Sequence, residues 1–160
     1  MSDKLETAIA CNPAESVIVS ACAGSGKTWL LVSRMIRLLL AGAKPQQILA
    51  LTFTRKAAQE MRDRLYQLLE EFSTCDDATL IRELGERGLE EKDAIASLPR
   101  ARALYLNVLA SPQSVVIDTF HGWFGRLLGA APVSAEVQPG FSLREDAKRL
   151  QEECKIGRAS

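Results

Sequence analysis

The sequence predicts an α/β fold in which short parallel strands alternate with helices. Residues 16–20 (SVIVS), 48–52 (ILALT) and 114–118 (SVVID) are short apolar runs that contain β-branched side chains, which is typical of buried strands. The first run leads through a glycine-containing loop into a helical pattern, and the second leads directly into another. Strand, helix, strand and helix in this order indicate a βαβ arrangement with a parallel sheet.

The helices follow from apolar spacing and from residues that begin or end a helix. A first helix is expected from about Lys27, where apolar side chains start to recur at helical spacing. Gly42 and Pro45 end it, because glycine favours a helix terminus and proline cannot continue a helix. Thr54 can cap a second helix, which carries apolar residues on one face.

Secondary structure is less clearly predicted for the second half of the chain. Residues 73–112 are charged and are expected to be helical in pieces, with Pro99 as one interruption. A further helix is expected around residues 121–128, after the third strand. Residues 129–142 are rich in Gly, Pro, Ala and Ser and predict a connector, and a polar helix is expected over residues 143–153.

Composition and charge place the chain among ordinary globular domains. Its 160 residues are 47% hydrophobic and 25% charged, and twenty basic residues balance twenty acidic ones. This is the size of one domain. Nucleic-acid binding would therefore depend on a local basic patch and not on net charge.

The spacing of cysteine and histidine argues against a metal site built from these two residue types. The chain has one histidine, His121, and no C-x-x-C pair. We expect reduced thiols in a cytoplasmic protein. The N-terminus lacks the basic and apolar regions of a signal peptide, and no apolar stretch reaches the length of a membrane span. The cysteines are Cys11, Cys22, Cys75 and Cys154.

The stretch ACAGSGKT lies between a predicted strand and a predicted helix, which is the context of a phosphate-binding P-loop. The general pattern is G-x-x-x-x-G-K-[ST], and Ala21 replaces its first glycine. Gly24 and Gly26 let successive N–H groups point inward toward phosphates. Lys27 is expected to reach the β- and γ-phosphates, and the Thr28 hydroxyl to ligate Mg²⁺. The whole candidate loop is Ala21, Cys22, Ala23, Gly24, Ser25, Gly26, Lys27 and Thr28.

Two later strand ends carry threonines and an aromatic residue. Phe53 follows the second predicted strand, at the edge where α/β proteins place ligand-binding groups, and its ring could stack on a base. Thr52 and Thr54 could bind DNA phosphates. Taken alone, a core Phe and a capping Thr are the simpler interpretation. At the third strand end, His121 could act as a base catalyst or ligate a metal, but with no partner cysteine or histidine nearby we expect a hydrogen-bonding or DNA-contacting role. Trp123 is expected to lie on a buried helix face.

Taken together, AGSGKT, TFTRKAAQEMR and TFHGWF resemble the start of a UvrD/RecB-type superfamily 1 DNA helicase, most similar to the RecB and AddA branch. The resemblance implies an incomplete RecA-like parallel sheet with helical additions, over residues 1–130. Residues 131–160 would be a connector and the start of an inserted helical region. The resemblance further implies an ATP- and Mg²⁺-dependent motor that moves 3′→5′ on single-stranded DNA in repair and recombination. It also implies a possible nuclease or helicase partner subunit.

The resemblance also assigns residues to roles. The loop that ends in Lys27 and Thr28 would bind ATP and Mg²⁺, with these two residues serving catalysis. One DNA-contacting motif falls on Thr52, Phe53, Thr54 and Lys56, and a second falls on Thr119, Phe120 and His121.

The sequence departs from the family pattern at two places. Leu5 stands near the position of the glutamine that reads adenine, and no glutamine occurs before Gln46. No strand-borne D-E-x-x motif occurs to hold Mg²⁺ and polarise the attacking water. The chain therefore reads as the opening of a longer protein, and we expect it to be inactive in ATP turnover and marginally stable by itself.

Two other functions fit parts of the sequence. A non-catalytic protein that binds nucleotide or single-stranded DNA needs no hydrolytic carboxylate, so it is the main alternative for the isolated chain. A small P-loop kinase or nucleotidase would need a lid with clustered arginines. Arg100 and Arg102 are the candidates for such a lid, and they lie on a predicted amphipathic helix.

Overall fold

The fold is that of a computed structural model, which describes residues 2–20 and 26–130. The chain divides into two compact units, residues 1–118 and residues 119–160. The elements of the first unit are α1 (Ser2–Cys11), α2 (Lys27–Leu40), a short 3-10 helix (Pro45–Gln47), β1 (Leu49–Thr52), α3 (Arg55–Thr74), α4 (Asp77–Glu86), α5 (Glu91–Leu109) and β2 (Val116–Thr119). The last residue of β2 begins the second unit, whose described helix is α6 (Phe120–Gly129).

The sheet in the described part of the chain consists of β1 and β2, two hydrogen-bonded parallel neighbours. The Val116 amide donates a 3.1 Å hydrogen bond to the Ile48 carbonyl just before β1 begins. Helices α3, α4 and α5 form the connection between the two strands. The structure is thus a mixed helix and strand arrangement, consistent with an incomplete α/β domain.

The core lies between helices because their apolar residues recur on single faces. Helix α3 packs most extensively on α5, α4 packs on α5, and α2 packs on both α3 and α5. Helix α3 contributes five buried side chains at helical spacing, as its sequence predicts. They are Ala58, Met61, Leu65, Leu69 and Phe72.

The predicted strand at residues 16–20 is wrong. No strand is present there, and within the described residues this stretch makes no backbone hydrogen bond to β1 or β2. Ile18 is fully exposed and Val19 is 46% exposed. An apolar run becomes a strand only when a neighbouring strand pairs with its N–H and C=O groups, and the described residues supply no such neighbour.

Pro99 does not interrupt the helix as expected. Helix α5 continues through it from Glu91 to Leu109. A proline removes one N–H donor from a helix, but α5 packs against α2, α3 and α4, and side-chain packing does not depend on that donor. Ala94 precedes Pro99 and Ala101 follows it, and both are fully buried. The pieces expected in this region are therefore two helices, α4 and α5.

Most of the remaining expectations are confirmed. Helix α2, strands β1 and β2, the Thr54 cap and a helix after β2 are as predicted, within a few residues at the ends. Trp123 on α6 is half-exposed and no residue of α6 is buried, so the expected buried face is wrong. The helix over residues 143–153 and the connector from residue 131 onward lie outside the described residues.

A close approach of two backbones joins the N-terminal helix to the turn between α4 and α5. Gly88 has φ of +81°, and a Cβ placed on it would lie too close to the Cα of Ala8. Only glycine tolerates both the left-handed backbone and this distance. The packing of α1 therefore depends on Gly88.

Candidate functional site

The first turn of α2 and the residue before it carry the described part of the predicted phosphate loop. Gly26 precedes the helix in a left-handed conformation with φ of +80°, and its carbonyl accepts a 3.0 Å hydrogen bond from the Leu30 amide. Lys27 is exposed and Thr28 is half-buried. The five preceding loop residues, Ala21, Cys22, Ala23, Gly24 and Ser25, lie outside the described residues.

The electrostatics of this turn favour an anion. Gly26 has no side chain with which to cap the helix, and the first turn of α2 contains no acidic residue. A Cβ placed on Gly26 would meet no described atom within 4 Å, so no described side chain outside the loop covers this end of the helix. The backbone N–H groups and the positive end of the helix dipole can therefore face a negatively charged ligand, with Lys27 adding a cation.

Arg34 holds α2 against the chain that leads toward the loop. Its guanidinium donates hydrogen bonds to the carbonyls of Ala10, at 2.7 Å, and Asn12, at 3.0 Å, and to the carbonyl of Glu15. A cavity of about 470 Å³ lies beside this contact and is bordered by Lys27. Nothing in the sequence pattern pointed to Arg34, because its role appears only when residues 10–15 lie beside α2.

The strand end before α3 presents polar and aromatic groups to solvent. The Thr54 hydroxyl accepts a 3.1 Å hydrogen bond from the Ala57 amide, which caps α3 as predicted. The Phe53 side chain is 81% exposed, so it is not the core residue of the simpler interpretation. Lys56 is exposed in the first turn, and Thr52 is half-buried at the end of β1.

The third predicted segment lies at the start of the second unit. The Thr119 hydroxyl accepts a 3.0 Å hydrogen bond from the Gly122 amide and caps α6, and Thr119 is buried. Phe120 is half-buried and His121 is exposed. The two capping threonines, Thr54 and Thr119, thus serve the helices after β1 and β2 in the same way.

Two of the three predicted segments, the phosphate loop and the segment around Thr54, lie at the starts of helices that pack against each other in one unit. Lys27 and Thr28 open α2, Thr54 and Lys56 stand at the start of α3, and these two helices pack against each other. The segment from Thr119 to His121 belongs to the other unit.

Several charged residues that could have been functional have structural partners instead. Arg100 donates to the Leu40 carbonyl at 2.7 Å, and Arg102 hydrogen-bonds to Asp77. Asp76 caps α4, and hydrogen bonds from the Thr79 amide and hydroxyl hold the pKa of its carboxyl below the usual value. Because both arginines are hydrogen-bonded to neighbouring elements, they do not form the arginine-rich lid that a small kinase would need.

Within the described ranges, cysteine thiols and metal-ligating side chains do not cluster into a further candidate site. Cys11 and Cys75 are free, and burial raises the pKa of the Cys11 thiol. Residues 5–20 and 26–130 contain no group of three or more His, Cys, Asp or Glu side chains that could hold a metal ion. Among the helices described, none has both the length and the apolar composition needed to cross a bilayer.

Comparison with known proteins gives a family for the chain. The model of the UvrD/REP helicase N-terminal domain matches residues 1–158. The chain is 28% identical over 130 residues to a Lactobacillus helveticus protein that is one subunit of an ATP-dependent helicase/nuclease. The matched region covers 81% of this chain and 9% of that protein.

Two Streptococcus pneumoniae proteins give the same result. The chain is 32% identical over 120 residues to another such ATP-dependent helicase/nuclease protein and to an "Exonuclease/helicase subunit RexA", in each case over 74% of this chain and 9% of the relative. The chain thus spans about a tenth of the length of the curated relatives it matches. The match over residues 1–158 shows that the chain belongs to the UvrD/REP helicase N-terminal domain family.

Proposed function

We propose that this chain is the ATP-binding, N-terminal part of an ATP-dependent DNA helicase of the helicase/nuclease type. The observation that carries the proposal is the start of α2, where Gly26 opens a helix whose first turn holds Lys27 and Thr28 and contains no acidic residue. In this proposal the residues from Ala21 to Thr28 form a P-loop. Its amides and Lys27 bind the triphosphate.

The donor set at Thr28 fits Mg²⁺. This ion is usually held by few protein oxygens together with phosphate oxygens and water, so one hydroxyl beside the phosphates is enough to begin the site. When bound, Mg²⁺ would neutralise phosphate charge. The work of this chain's own residues is to hold the triphosphate, with Lys27 placing a cation near its terminal phosphates.

Single-stranded DNA is the proposed second ligand. The exposed Phe53 ring can stack on a base, and the cation of nearby Lys56 can pair with a phosphate. We propose that Thr52, Thr54, Thr119, Phe120 and His121 also belong to the surface that the strand contacts. For the whole protein we further propose translocation in the 3′→5′ direction, a role in repair, a cytoplasmic location and a nuclease-bearing partner subunit.

The 160-residue chain is proposed to bind ATP without turning it over, because its sequence has no D-E-x-x motif to polarise a water. The test is MgATP binding and steady-state ATP turnover, each with and without a single-stranded oligonucleotide, for the unaltered chain and for Lys27→Ala. Lys92→Ala is the matched control, since Lys92 is also an exposed lysine in the first turn of a helix.

The outcomes separate the alternatives. Binding that Lys27→Ala abolishes and Lys92→Ala preserves supports the nucleotide site, and the lack of turnover supports a binding role for the isolated chain. DNA-stimulated turnover that disappears in Lys27→Ala would overturn the claim that the chain alone is inactive. Equal ATP affinity in all three proteins would overturn the P-loop assignment.

A further inference from the structure

An arginine is buried at the end of α4, where charged side chains are rare. Arg87 is 1% exposed and is the largest of the fully buried side chains in the described ranges. One guanidinium nitrogen donates to the Glu83 carbonyl at 2.6 Å and to the Glu83 carboxylate at 2.8 Å. Its Nε is buried and has no hydrogen-bond partner among the described residues.

Two aromatic rings from different helices enclose this guanidinium. Its central carbon lies 5.6 Å from the ring centroid of Trp29 on α2 and 5.3 Å from that of Phe72 on α3. The Arg37 guanidinium on α2 donates a 2.9 Å hydrogen bond to the Arg87 carbonyl. Side chains of α2, α3 and α4 therefore meet at one buried cation.

Stability alone does not require a cation here. A buried ion pair that is replaced by apolar side chains of similar volume often leaves a protein equally stable or more stable, because the charges no longer need to be desolvated. What a cation adds is attraction to an aromatic face, which is stronger when water is excluded. At this site the attraction acts on Trp29, the residue directly after Thr28.

We propose that Arg87 is a positioning residue for the phosphate-binding turn. By holding the Trp29 ring, it fixes the first turn of α2 and thereby the places of Lys27 and Thr28. Arg87 touches no ligand itself, and the inference rests on the proposed ATP site. The turn between α4 and α5 thus helps to set the affinity for the triphosphate, although it contributes no atom to that site.

The test measures ATP and AMP affinity of the 160-residue chain by titration calorimetry, with thermal melting of every variant. Arg87→Met keeps the volume and loses the charge, and Arg87→Lys keeps a charge without the planar group. AMP lacks the β- and γ-phosphates, so the ratio of the two affinities reports on Lys27 and Thr28 specifically. Arg82→Met is the control, since Arg82 lies on the same helix with a 66% exposed side chain.

We expect Arg87→Met to weaken ATP binding about three- to tenfold while AMP affinity stays within about twofold, and Arg87→Lys to recover part of the loss. Arg82→Met should leave both affinities unchanged. A folded Arg87→Met protein with an unaltered ratio of ATP to AMP affinity overturns the inference and leaves the proposed function standing. Absence of ATP binding in the unaltered chain overturns both.

A second arm covers the case in which Arg87→Met does not fold. Trp29→Phe keeps a ring with a weaker attraction for cations, and it is combined with Arg87→Lys in a double-mutant cycle on ATP affinity. If Arg87 acts through Trp29, the two losses are not additive and the double variant is weakened less than their sum. Additive losses mean that the two residues act independently, which overturns the inference.

Discussion

The guanidinium of Arg62 on α3 donates a 2.8 Å hydrogen bond to the carbonyl of Ile117 on β2. A second bond, of 2.7 Å, joins Arg62 to the Gln59 side chain one turn earlier. Ile117 lies two residues before Thr119, and Arg62 lies on the helix that Thr54 caps. One side chain therefore ties the helix after the first strand to the backbone of the second strand.

Replacing Arg62 with methionine is expected to lower the free energy of unfolding by about 1–2 kcal/mol, because a partly buried carbonyl loses a charged donor. Urea unfolding measures the change, with an unchanged slope as the sign of an intact fold. Arg64→Met is the control. Arg64 forms an exposed ion pair with Glu60 on the same helix. We therefore expect Arg64→Met to change the free energy of unfolding by less than about 0.5 kcal/mol. Equal effects of the two substitutions would contradict this role for Arg62.

Gly88→Ala is expected to destabilise the chain by more than about 2 kcal/mol, because the new Cβ would overlap the Ala8 backbone and φ is +81°. Gly85→Ala is the matched control within α4, where a Cβ meets no described atom within 4 Å. Alanine is the better helix former, so this second change should stabilise the chain by about 0.5–1 kcal/mol. Thermal melting that shifts in the same direction for both variants would rule out the close approach.

Phe53→Ala is expected to weaken binding of single-stranded oligothymidylate about tenfold, since one base would lose its stacking partner. Stability should change by less than about 1 kcal/mol, because the side chain is 81% exposed. Fluorescence anisotropy measures the affinity. Leu106→Ala, at another large apolar side chain that is 67% exposed, should leave the affinity unaltered, and a similar loss in both variants would indicate nonspecific binding.

Lys56→Ala is expected to reduce the salt dependence of DNA affinity while leaving the preference for particular DNA sequences nearly unchanged. A lysine that pairs with one phosphate of a single strand contributes about 0.7 to the slope of log affinity against log salt concentration. The slope should therefore fall by about that amount, as measured by anisotropy titrations at several salt concentrations. Lys92→Ala should keep the original slope, and if Lys56→Ala keeps it too, Lys56 does not contact the backbone of the strand.

Asp76 should make the chain sensitive to acid. The Thr79 amide and hydroxyl bind its carboxylate at 2.9 Å and 2.8 Å and lower its pKa relative to the unfolded chain. The stability from this cap is therefore present above the ordinary aspartate pKa of about 4, and it is lost as pH falls through the lowered value. Asp76→Asn keeps a capping oxygen that does not titrate. Its unfolding free energy should fall less below about pH 4, and identical pH profiles would contradict the prediction.

The parts of the fold that the sequence predicts correctly are those with local causes. Helix α3 begins where Thr54 can cap it, and its apolar residues recur at helical spacing up to Phe72. Strand β1 is an apolar run directly before that cap. Such signals need no knowledge of distant residues, so the two elements appear where expected.

The features that the sequence does not predict depend on distant partners. Residues 16–20 have the composition of a strand, but Ile18 is fully exposed and no described strand pairs with them. Pro99 looks like a helix break, but α5 is buried on both sides of it. The sequence alone would place Arg87 at the surface, but in the structure its guanidinium lies against the rings of Trp29 and Phe72. The predicted ATP and DNA contacts, from Lys27 to His121, stay predictions for the experiments above.

Arg34 gives the N-terminal helix an attachment that does not depend on the covalent chain. Its three hydrogen bonds go to carbonyls at residues 10, 12 and 15, which all precede the exposed stretch around Ile18. Gly88 supplies a second contact to the same helix at Ala8. We therefore expect a chain cleaved by a protease near Ile18 to remain a complex of two fragments. The N-terminal peptide would be able to reassociate with the remainder when the two are mixed.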